Sequence, residues 1–367
     1  MRPNTATLRG RRLSAALVAV LAAGVLAGCT SGGSSTEKVS AGSGTGSCEK
    51  GSSPVLTLAA YSNVYDVYGK LTSAFAQDWS DKHDVTPIFQ MSFGGSTTQA
   101  ENIVAGFGAD VYASSLDPDV GLVQKEGLIT HNWQNQPDHS IVATSLVGFM
   151  VRPGNPKGIH DWSDLVRPGL KILTPDPAQS GGARWNIAAA YGAVMRGEVK
   201  GYKPTQHDAQ RYLQALFKNV TVMDKSANDS FKNFEAGNGD VALTYENQAL
   251  AGIAAGSEDK FVIPPSTISI QTPTVVVDAN AKRHCVESIA NQFVSYLHTR
   301  DAKDVFTTVG YERPVKVAKA AKGDGKDFPA IKDLFTSDDI GGWTKMSNDT
   351  VFGPHGAFTT AFKAAHS

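Results

Sequence analysis

The feature of this chain that most constrains its fold is a repeated succession of a short apolar run and a helical pattern. The run VLTLAAY (residues 55–61) has the length and composition of a buried strand. Two further apolar runs, residues 85–91 and 109–114, each follow a helical pattern. Such a β-α-β-α-β order is typical of a parallel sheet covered by helices. The apolar residues that define the first of these helices share one face: Val64, Tyr68, Leu71, Phe75 and Trp79.

The middle of the chain repeats this order, which predicts a second sheet. We expect its strands at residues 145–153, 170–176, 220–224 and 240–246, with a helix that starts after Gly182. Residues 261–278 have the pattern of a segment that crosses back to the first sheet, and helices are expected near residues 285–299 and 301–309. Because 367 residues exceed the usual size of one domain, we predict two α/β lobes, each a mainly parallel sheet flanked by helices.

The charge balance excludes one class of partner. With 34 basic and 35 acidic residues the net charge is −1, and we find no run of Lys and Arg outside the extreme N-terminus. A nucleic-acid surface needs concentrated positive charge. We therefore expect no nucleic acid partner.

The N-terminus has the features of an export signal. Residues 13–28 form an apolar run shorter than the roughly 20 residues that span a bilayer comfortably. The run ends in LAGC, which resembles the lipobox of bacterial lipoproteins, whose Cys is lipidated; here that residue is Cys29. An uncleaved membrane anchor and a plain secretory signal are the alternatives. The basic residues that precede the run are Arg2, Arg9, Arg11 and Arg12.

From these features we predict a lipoprotein signal peptide over residues 1–28 and a flexible Gly/Ser/Thr-rich tether over residues 29–53. The protein would be exported and anchored to the outer face of the cytoplasmic membrane through lipidated Cys29. Two more cysteines, Cys48 and Cys285, permit one disulfide in an exported chain, and two free thiols are the alternative.

Two glycine-rich stretches begin helices. GGST (residues 94–97) and SGGA (residues 180–183) each lie between an apolar run and a helical pattern. The first N–H groups of a helix have no partner inside it, and glycine lets an anion approach them closely. Ordinary helix capping explains either stretch taken alone, but one such stretch in each lobe indicates an anion site between the lobes.

Four stretches resemble, in sequence and in order, the bacterial sulfate-binding proteins, the extracytoplasmic receptors of sulfate ABC transporters. The stretches are SFGGSTTQA, PDPAQSGGARWNIAAAYG, FEAGNGDVALTYENQAL and a later VVVD. The resemblance implies the type II periplasmic-binding-protein fold, whose two lobes are joined by two hinge crossings. On that basis we predict four segments: residues 54–145 and 268–335 as lobe I, residues 146–267 as lobe II, and residues 336–367 as a C-terminal extension packed on lobe I.

The resemblance also implies sulfate buried between the lobes and held by neutral donors. Ser62 stands where the family usually has Asp, and Tyr245 stands where it usually has Trp. The Tyr hydroxyl can accept a hydrogen bond as well as donate one, unlike the indole N–H. Carried over by position, the expected sulfate-binding residues are Ser62, Ser96, Ser180, Gly181, Gly182, Ala227 and Tyr245.

Protonation gives a physical reason to favour sulfate over phosphate. Sulfate carries no proton at neutral pH, so a pocket of donors satisfies it, whereas a buried unmatched phosphate proton costs about 1 to 3 kcal/mol. We expect Asp110 and Asp240 to position backbone rather than to accept from a ligand. Thiosulfate, molybdate, tungstate and phosphate remain alternative ligands, and an anion-sensing receptor is an alternative function.

An enzyme is not expected. The sequence contains no GxSxG, GxxxxGK[ST], CxxC or HExxH motif, so no nucleophile elbow, phosphate loop or metal site is indicated. We predict a monomeric binding protein without cofactor or metal that closes on its anion and presents the closed form to ABC permease subunits. The hinge strands are expected near residues 144–150 and 264–272.

Overall fold

The first part of the fold is a parallel sheet whose strands alternate with helices, as the sequence predicts. The computed structural model describes residues 53–315, 321–323 and 326–366. Strand β1 hydrogen-bonds in parallel with β2 on one side and β3 on the other. We call the part built on this sheet lobe I. Its elements are β1 (Val55–Tyr61), α1 (Tyr65–His83), β2 (Ile88–Gly94), α2 (Ser96–Val104), β3 (Val111–Ala113) and α3 (Asp117–Lys125).

A second parallel set follows, which we call lobe II. Strand β5 pairs in parallel with β6 and β7, while β4 and β8 add antiparallel partners. All eleven residues of β4 are buried, in keeping with an apolar strand covered on both faces. These elements are β4 (Ile141–Val151), β5 (Ile172–Pro175), α4 (Gly181–Met195), α5 (Gln206–Lys218), β6 (Val220–Asp224), α6 (Ala227–Glu235), β7 (Val241–Tyr245), α7 (Glu246–Ala254) and β8 (Lys260–Val262).

The rest of the chain returns to lobe I and then crosses the molecule again. Its elements are β9 (Ser266–Val276), α8 (Asp278–Arg283), α9 (Glu287–Tyr296), α10 (Arg300–Thr308), β10 (Ala321–Gly323), β11 (Lys326–Phe328), β12 (Asp333–Phe335), α11 (Gly342–Lys345) and α12 (Ala357–Ala365). Short 3₁₀ turns occupy residues 62–64, 133–135, 137–140, 162–166 and 338–340, and a π-turn occupies residues 346–350.

Two long antiparallel strands, β4 and β9, join the lobes. Along β4 the partner changes from β9 to β7 between Leu146 and Val147. Along β9 the partner changes from β4 to β3 between Pro273 and Thr274. These changes give one continuous path of strands, β2-β1-β3-β9-β4-β7-β5-β6. The two strands are therefore two of the covalent connections between the lobes, and the chain between α10 and α12 is a further one.

Residues 336–367 pack mainly on lobe II, so the prediction that they pack on lobe I is wrong. Helix α12 lies along α5 of lobe II. The ring of Phe358 is 5.0 Å from that of Phe217, and the ring of Trp343 is 4.7 Å from that of Trp185. The physical reason is that Phe358 and Phe362, four residues apart, form an apolar stripe, and α5 offers the aromatic surface that covers it.

Candidate anion-binding site

The predicted anion-binding residues meet in one cavity between the lobes. The cavity lies at the carboxyl ends of the strands, because the chain reaches it directly after β1, β2, β3, β6 and β7 and shortly after β5. This is the edge at which open α/β sheets hold their ligands. Six of the seven predicted residues line it, and Gly181 lies just behind its wall: the lining members are Ser62, Ser96, Ser180, Gly182, Ala227 and Tyr245.

The cavity is small. Its volume is about 10 Å³, near the minimum that holds one water-sized group. Sites for organic ligands measure roughly 300 to 1,000 Å³. No Asp or Glu lines this cavity in the described part of the chain. Its size and lining therefore suit a compact ligand that needs donors and no negatively charged acceptor.

Helix α4 turns its first residues into the cavity. Ser180 is its N-cap, but its hydroxyl makes no capping hydrogen bond. The N–H groups of Gly181 and Gly182, at the first two positions, have no acceptor inside the helix. A Cβ added at Gly182 would lie 3.6 Å from the Tyr245 hydroxyl oxygen, which places the glycine at the cavity wall. The hydroxyl and two N–H groups are thus left for a ligand.

Helix α6 contributes a further donor from lobe II. Its N-cap Ser226 accepts a hydrogen bond of 3.2 Å from the N–H of Asp229. That bond satisfies a donor of the first turn and fixes the start of the helix. The N–H of Ala227, at the first helical position, has no partner within the helix and borders the cavity. Two helix starts of lobe II therefore converge, and their dipoles favour negative charge between them.

Lobe I presents hydroxyls held by a local network. The Oγ of Ser96 accepts the N–H of Ser115 at 3.1 Å and lies 3.1 Å from the Tyr112 hydroxyl and 3.0 Å from the Ser114 hydroxyl. Tyr112 donates its own proton to the Ser96 carbonyl at 2.8 Å. Because Tyr112 gives its proton to that carbonyl, the Tyr112 oxygen can accept from the Ser96 hydroxyl, which is therefore held within the network. The N–H of Ser96, at the first position of α2, has no acceptor inside the helix and is the donor that Ser96 offers to a ligand. Ser62 also borders the cavity.

Tyr245 closes the cavity from lobe II. Its side chain is buried and its hydroxyl forms no hydrogen bond of ordinary length, the Ser115 hydroxyl being near enough only to lower its pKa. Burial raises the pKa of this hydroxyl well above 10, so it stays protonated and can donate. The Tyr245 hydroxyl can therefore serve as the donor at the position where the family usually has the indole N–H of a Trp.

Sequence reasoning missed Ser115. This residue follows β3 and lines the same cavity, and its buried hydroxyl forms no hydrogen bond of ordinary length. Its position two residues beyond a strand, at the edge where ligands bind, is the signal that could have identified it.

The lobes are in contact around the cavity. The N–H of Asn228 donates to the Ser62 hydroxyl at 3.2 Å, and the N–H of Thr98 donates to the Gln179 carbonyl at 3.2 Å. A Cβ added at Gly95 would lie 2.3 Å from that same carbonyl oxygen. Each contact joins a residue of lobe I to one of lobe II. The structure therefore represents the closed arrangement of the cleft.

The carboxylates near the motifs have structural roles. Asp110 accepts the N–H of Thr57 at 2.8 Å, and Asp240 accepts that of Lys171 at 3.0 Å, which confirms that both position backbone. Asp119, which the sequence did not single out, is buried behind the cavity wall and accepts the Thr97 hydroxyl at 3.1 Å. Burial raises its pKa to about 6.

A buried polar network lies behind the site at the hinge. Arg313 forms a two-pronged ion pair with Glu246 at 2.5 and 2.9 Å, directly after Tyr245 in the chain. Glu312 accepts the hydroxyl of Tyr61 at 3.0 Å and the amide of Asn247 at 3.4 Å. Burial raises the pKa of Glu312 to about 8. These contacts tie the residues next to Ser62 and Tyr245 to one segment.

Other predicted features fall partly outside the described residues. Cys285 is disulfide-bonded, whereas Cys29 and Cys48, the other cysteines of the chain, lie outside the described residues. The pairing of Cys48 with Cys285 stays a prediction. Within the described part of the chain, no group of three or more His, Cys, Asp or Glu side chains could hold a metal ion. No helix there has the length and apolar character needed to cross a membrane.

Comparison with known proteins gives consistent matches. Residues 56–312 match the family described as bacterial extracellular solute-binding protein. The chain is 35% identical over 363 residues to a sulfate-binding protein of Synechococcus elongatus, covering 97% of each chain. It is 37% identical over 299 residues to a sulfate-binding protein of Salmonella typhimurium, covering 80% of this chain and 89% of that protein.

A solved structure matches over the same region. The sulfate-binding protein SubI from Mycobacterium tuberculosis superposes with a TM-score of 0.70 at 29% sequence identity. The match covers 80% of this chain and 98% of SubI. The predicted α/β periplasmic-binding-protein fold is thereby confirmed.

Proposed function

Because the chain belongs to the bacterial extracellular solute-binding proteins, we propose that it captures sulfate between its two lobes and delivers it to an ABC importer. The observation that carries this proposal is the donor set of the cavity. N–H groups at the starts of α4 and α6 meet hydroxyls of lobe I and of Tyr245, and no carboxylate lines the same space. The sulfate-binding relatives support the same ligand.

The proposed sulfate-binding residues follow from that geometry. Lobe II supplies the Ser180 hydroxyl, the Tyr245 hydroxyl and the N–H groups of Gly181, Gly182 and Ala227. Lobe I supplies Ser62 and Ser96. A fully ionised anion accepts from all of these donors, whereas a monoprotonated phosphate brings a donor that meets no carboxylate, at a cost of about 1 to 3 kcal/mol. Sulfate is therefore preferred over phosphate.

Capture proceeds by closure of the cleft. Sulfate contacts donors on both lobes only when they approach, so its binding stabilises the closed state over the open one. Strands β4 and β9 connect the lobes and absorb the rotation. Permease subunits then recognise the closed form, and the anion is released to them. The Trp185 indole N–H, which donates across the cleft to the Ser115 carbonyl, is a natural reporter of this step.

The protein works outside the cytoplasm, as an exported member of its family. We propose that lipidated Cys29 anchors it to the outer face of the membrane and that residues 29–53 are the tether. We also propose that it acts as a monomer that carries out no catalysis. Metabolic labelling with a palmitate analogue, with and without Cys29→Ala, tests the anchor: label that persists in the variant would contradict it.

Calorimetric titration tests the ligand. The protein, dialysed free of oxyanions, is titrated with sulfate, thiosulfate, molybdate and phosphate. We expect one-to-one binding that is tightest for sulfate, with a change of intrinsic fluorescence that Trp185→Phe largely removes. Phosphate binding as tight as sulfate binding would mean that an acceptor faces the ligand, and would contradict the proposal. Loss of sulfate uptake on gene deletion separates an importer component from an anion-sensing receptor.

A further inference from the structure

Among the residues that line the cavity, Ser115 has both backbone groups in hydrogen bonds but no such bond at its hydroxyl. Its N–H donates to the Ser96 hydroxyl at 3.1 Å, and its carbonyl accepts the indole N–H of Trp185 from lobe II. Its hydroxyl is buried and forms no hydrogen bond of ordinary length, although it lies near enough to the Tyr245 hydroxyl to lower the pKa of that group. The backbone of Ser115 is therefore satisfied, whereas its hydroxyl is still able to bond a ligand in the cavity.

The Ser115 hydroxyl lies at the start of α4, where we propose that the anion binds. A Cβ added at Gly181 would lie 2.5 Å from the Oγ of Ser115, so this oxygen abuts the first turn of α4. The N–H groups of that turn and the positive end of its dipole attract a negative ligand to the same place. Ser115 also lines the same cavity as Ser180 and Tyr245.

Tyr245 presents a similar hydroxyl from the opposite lobe. Like that of Ser115, its hydroxyl is buried without a hydrogen bond of ordinary length, and the two hydroxyls are near enough for Ser115 to lower the pKa of Tyr245. A bond between the two would still leave one of the two protons without an acceptor. An isolated buried hydroxyl is unfavourable, and two that border one small cavity indicate that a ligand completes both. The two hydroxyls approach the cavity from different lobes, so one ligand satisfies them together only when the cleft is closed.

We propose that the Ser115 hydroxyl is a direct hydrogen-bond donor to the bound oxyanion, and that it acts with the Tyr245 hydroxyl to hold the anion from both lobes. This inference rests on the proposed sulfate-binding function and adds a contact to it. The Ser115 loop adds a third contact from lobe I to those of Ser62 and Ser96. Its hydroxyl contributes to affinity and not to the stability of the ligand-free protein.

The test is calorimetric titration of sulfate into the full chain and its Ser115→Ala variant. Loss of one hydrogen bond to a charged ligand is expected to weaken sulfate binding roughly 10- to 100-fold. Ser230→Ala is the matched control, because the Ser230 hydroxyl is also buried without a hydrogen bond of ordinary length but does not line the cavity. We expect the control to bind sulfate like the wild type.

Thermal unfolding without ligand separates binding from structure. Removing a buried hydroxyl that forms no hydrogen bond of ordinary length should leave the melting temperature unchanged or slightly raised in both Ala variants. If the hydroxyl stabilised the fold, its removal would instead lower the melting temperature. In a double-mutant cycle, Ser115→Ala and Tyr245→Phe should show coupled losses of sulfate affinity, because both remove donors to one ligand. If Ser115→Ala proves poorly folded, Ser115→Cys, a weaker donor of similar shape, should give an intermediate loss.

The outcomes are distinct. Sulfate binding by Ser115→Ala at wild-type strength overturns the role of Ser115 and leaves the proposed function standing. A lowered melting temperature with unchanged affinity assigns the hydroxyl to structure and likewise overturns it. A wild-type protein that does not bind sulfate overturns both proposals.

Discussion

Residues 94–97 and 180–183 contain the same ingredients, paired glycines and a hydroxyl at a helix start, yet the fold uses them differently. In the second stretch Ser180 is the N-cap and its hydroxyl caps nothing. In the first stretch Gly95 is the N-cap, and the Ser96 hydroxyl accepts the N–H of Ser115. Lobe II thus offers free groups, whereas lobe I offers a group already fixed by its neighbours.

The glycines of the two stretches, in contrast, meet the same requirement. Gly95 has a φ of −60°, which any residue adopts, so its backbone does not require glycine. Its Cβ position lies 2.3 Å from the Gln179 carbonyl oxygen of the opposite lobe. Gly181 likewise faces Ser115 of lobe I. Both glycines are needed because the lobes meet there, a demand that exists only in the closed protein.

The largest effect on sulfate affinity is expected from Gly95→Ala. The added methyl group would overlap a backbone carbonyl that cannot move aside, so it should oppose closure and weaken sulfate binding on the order of 100-fold. Gly121→Ala in α3 is the matched control, because its Cβ would meet nothing within 4 Å. Titration calorimetry measures both. Wild-type affinity in Gly95→Ala would show that sulfate binds without the closed contact.

Ser180→Ala should have the next largest effect. Its hydroxyl caps no helix, so its removal should cost about 1.5 to 3 kcal/mol of sulfate binding and little stability. Thr205→Ala provides the opposite case, because Thr205 caps α5 by accepting the N–H of Asp208 at 3.2 Å. That variant should lose about 1 kcal/mol of unfolding free energy and keep its affinity. Unchanged affinity in Ser180→Ala would remove Ser180 from the site.

Ser96→Ala sharpens the contrast between the lobes. Because the Ser96 oxygen accepts a buried N–H, its removal should lower the free energy of unfolding by about 1 to 3 kcal/mol. Sulfate binding should weaken less than in Ser180→Ala, because the N–H of residue 96 remains at the start of α2. Urea unfolding and calorimetry together test this. A loss of affinity without a loss of stability would mean that lobe I presents a free hydroxyl, as lobe II does.

Glu312→Gln should have the smallest effect on sulfate affinity, because Glu312 does not line the cavity. Its effect should instead be on how the free energy of unfolding depends on pH. Burial raises its pKa from 4.5 to about 8. A raised folded-state pKa means that the protonated carboxyl stabilises the fold at low pH and that this contribution is lost as pH rises through about 8. Urea unfolding should therefore show a decline of stability between about pH 6 and pH 8 in the wild type that is smaller in the variant, whereas the contribution of Asp119, whose pKa is about 6, is common to both. Parallel profiles would contradict the buried, protonated state.

Much of the fold follows from local patterns in the sequence. The strands predicted at residues 55–61 and 220–224 are those observed, and the helix expected after Gly182 forms as α4, beginning two residues earlier, at Gly181. These segments are long or strongly apolar, so their periodicity outweighs competing signals. The packing of residues 336–367 could not be obtained this way, because an apolar stripe such as that of α12 does not identify which surface covers it.

The same division holds for the site. The sequence by itself determined that helix starts rich in glycine and hydroxyls would follow buried strands, because capping and strand patterns are local. Only the tertiary structure decided that Ser115 lies beside Gly181, that Asp119 lies behind the wall and not in it, and that Gly95 must be small. Each of these depends on which residue of one lobe meets which residue of the other, and distances between lobes are set by closure, not by neighbours in the chain.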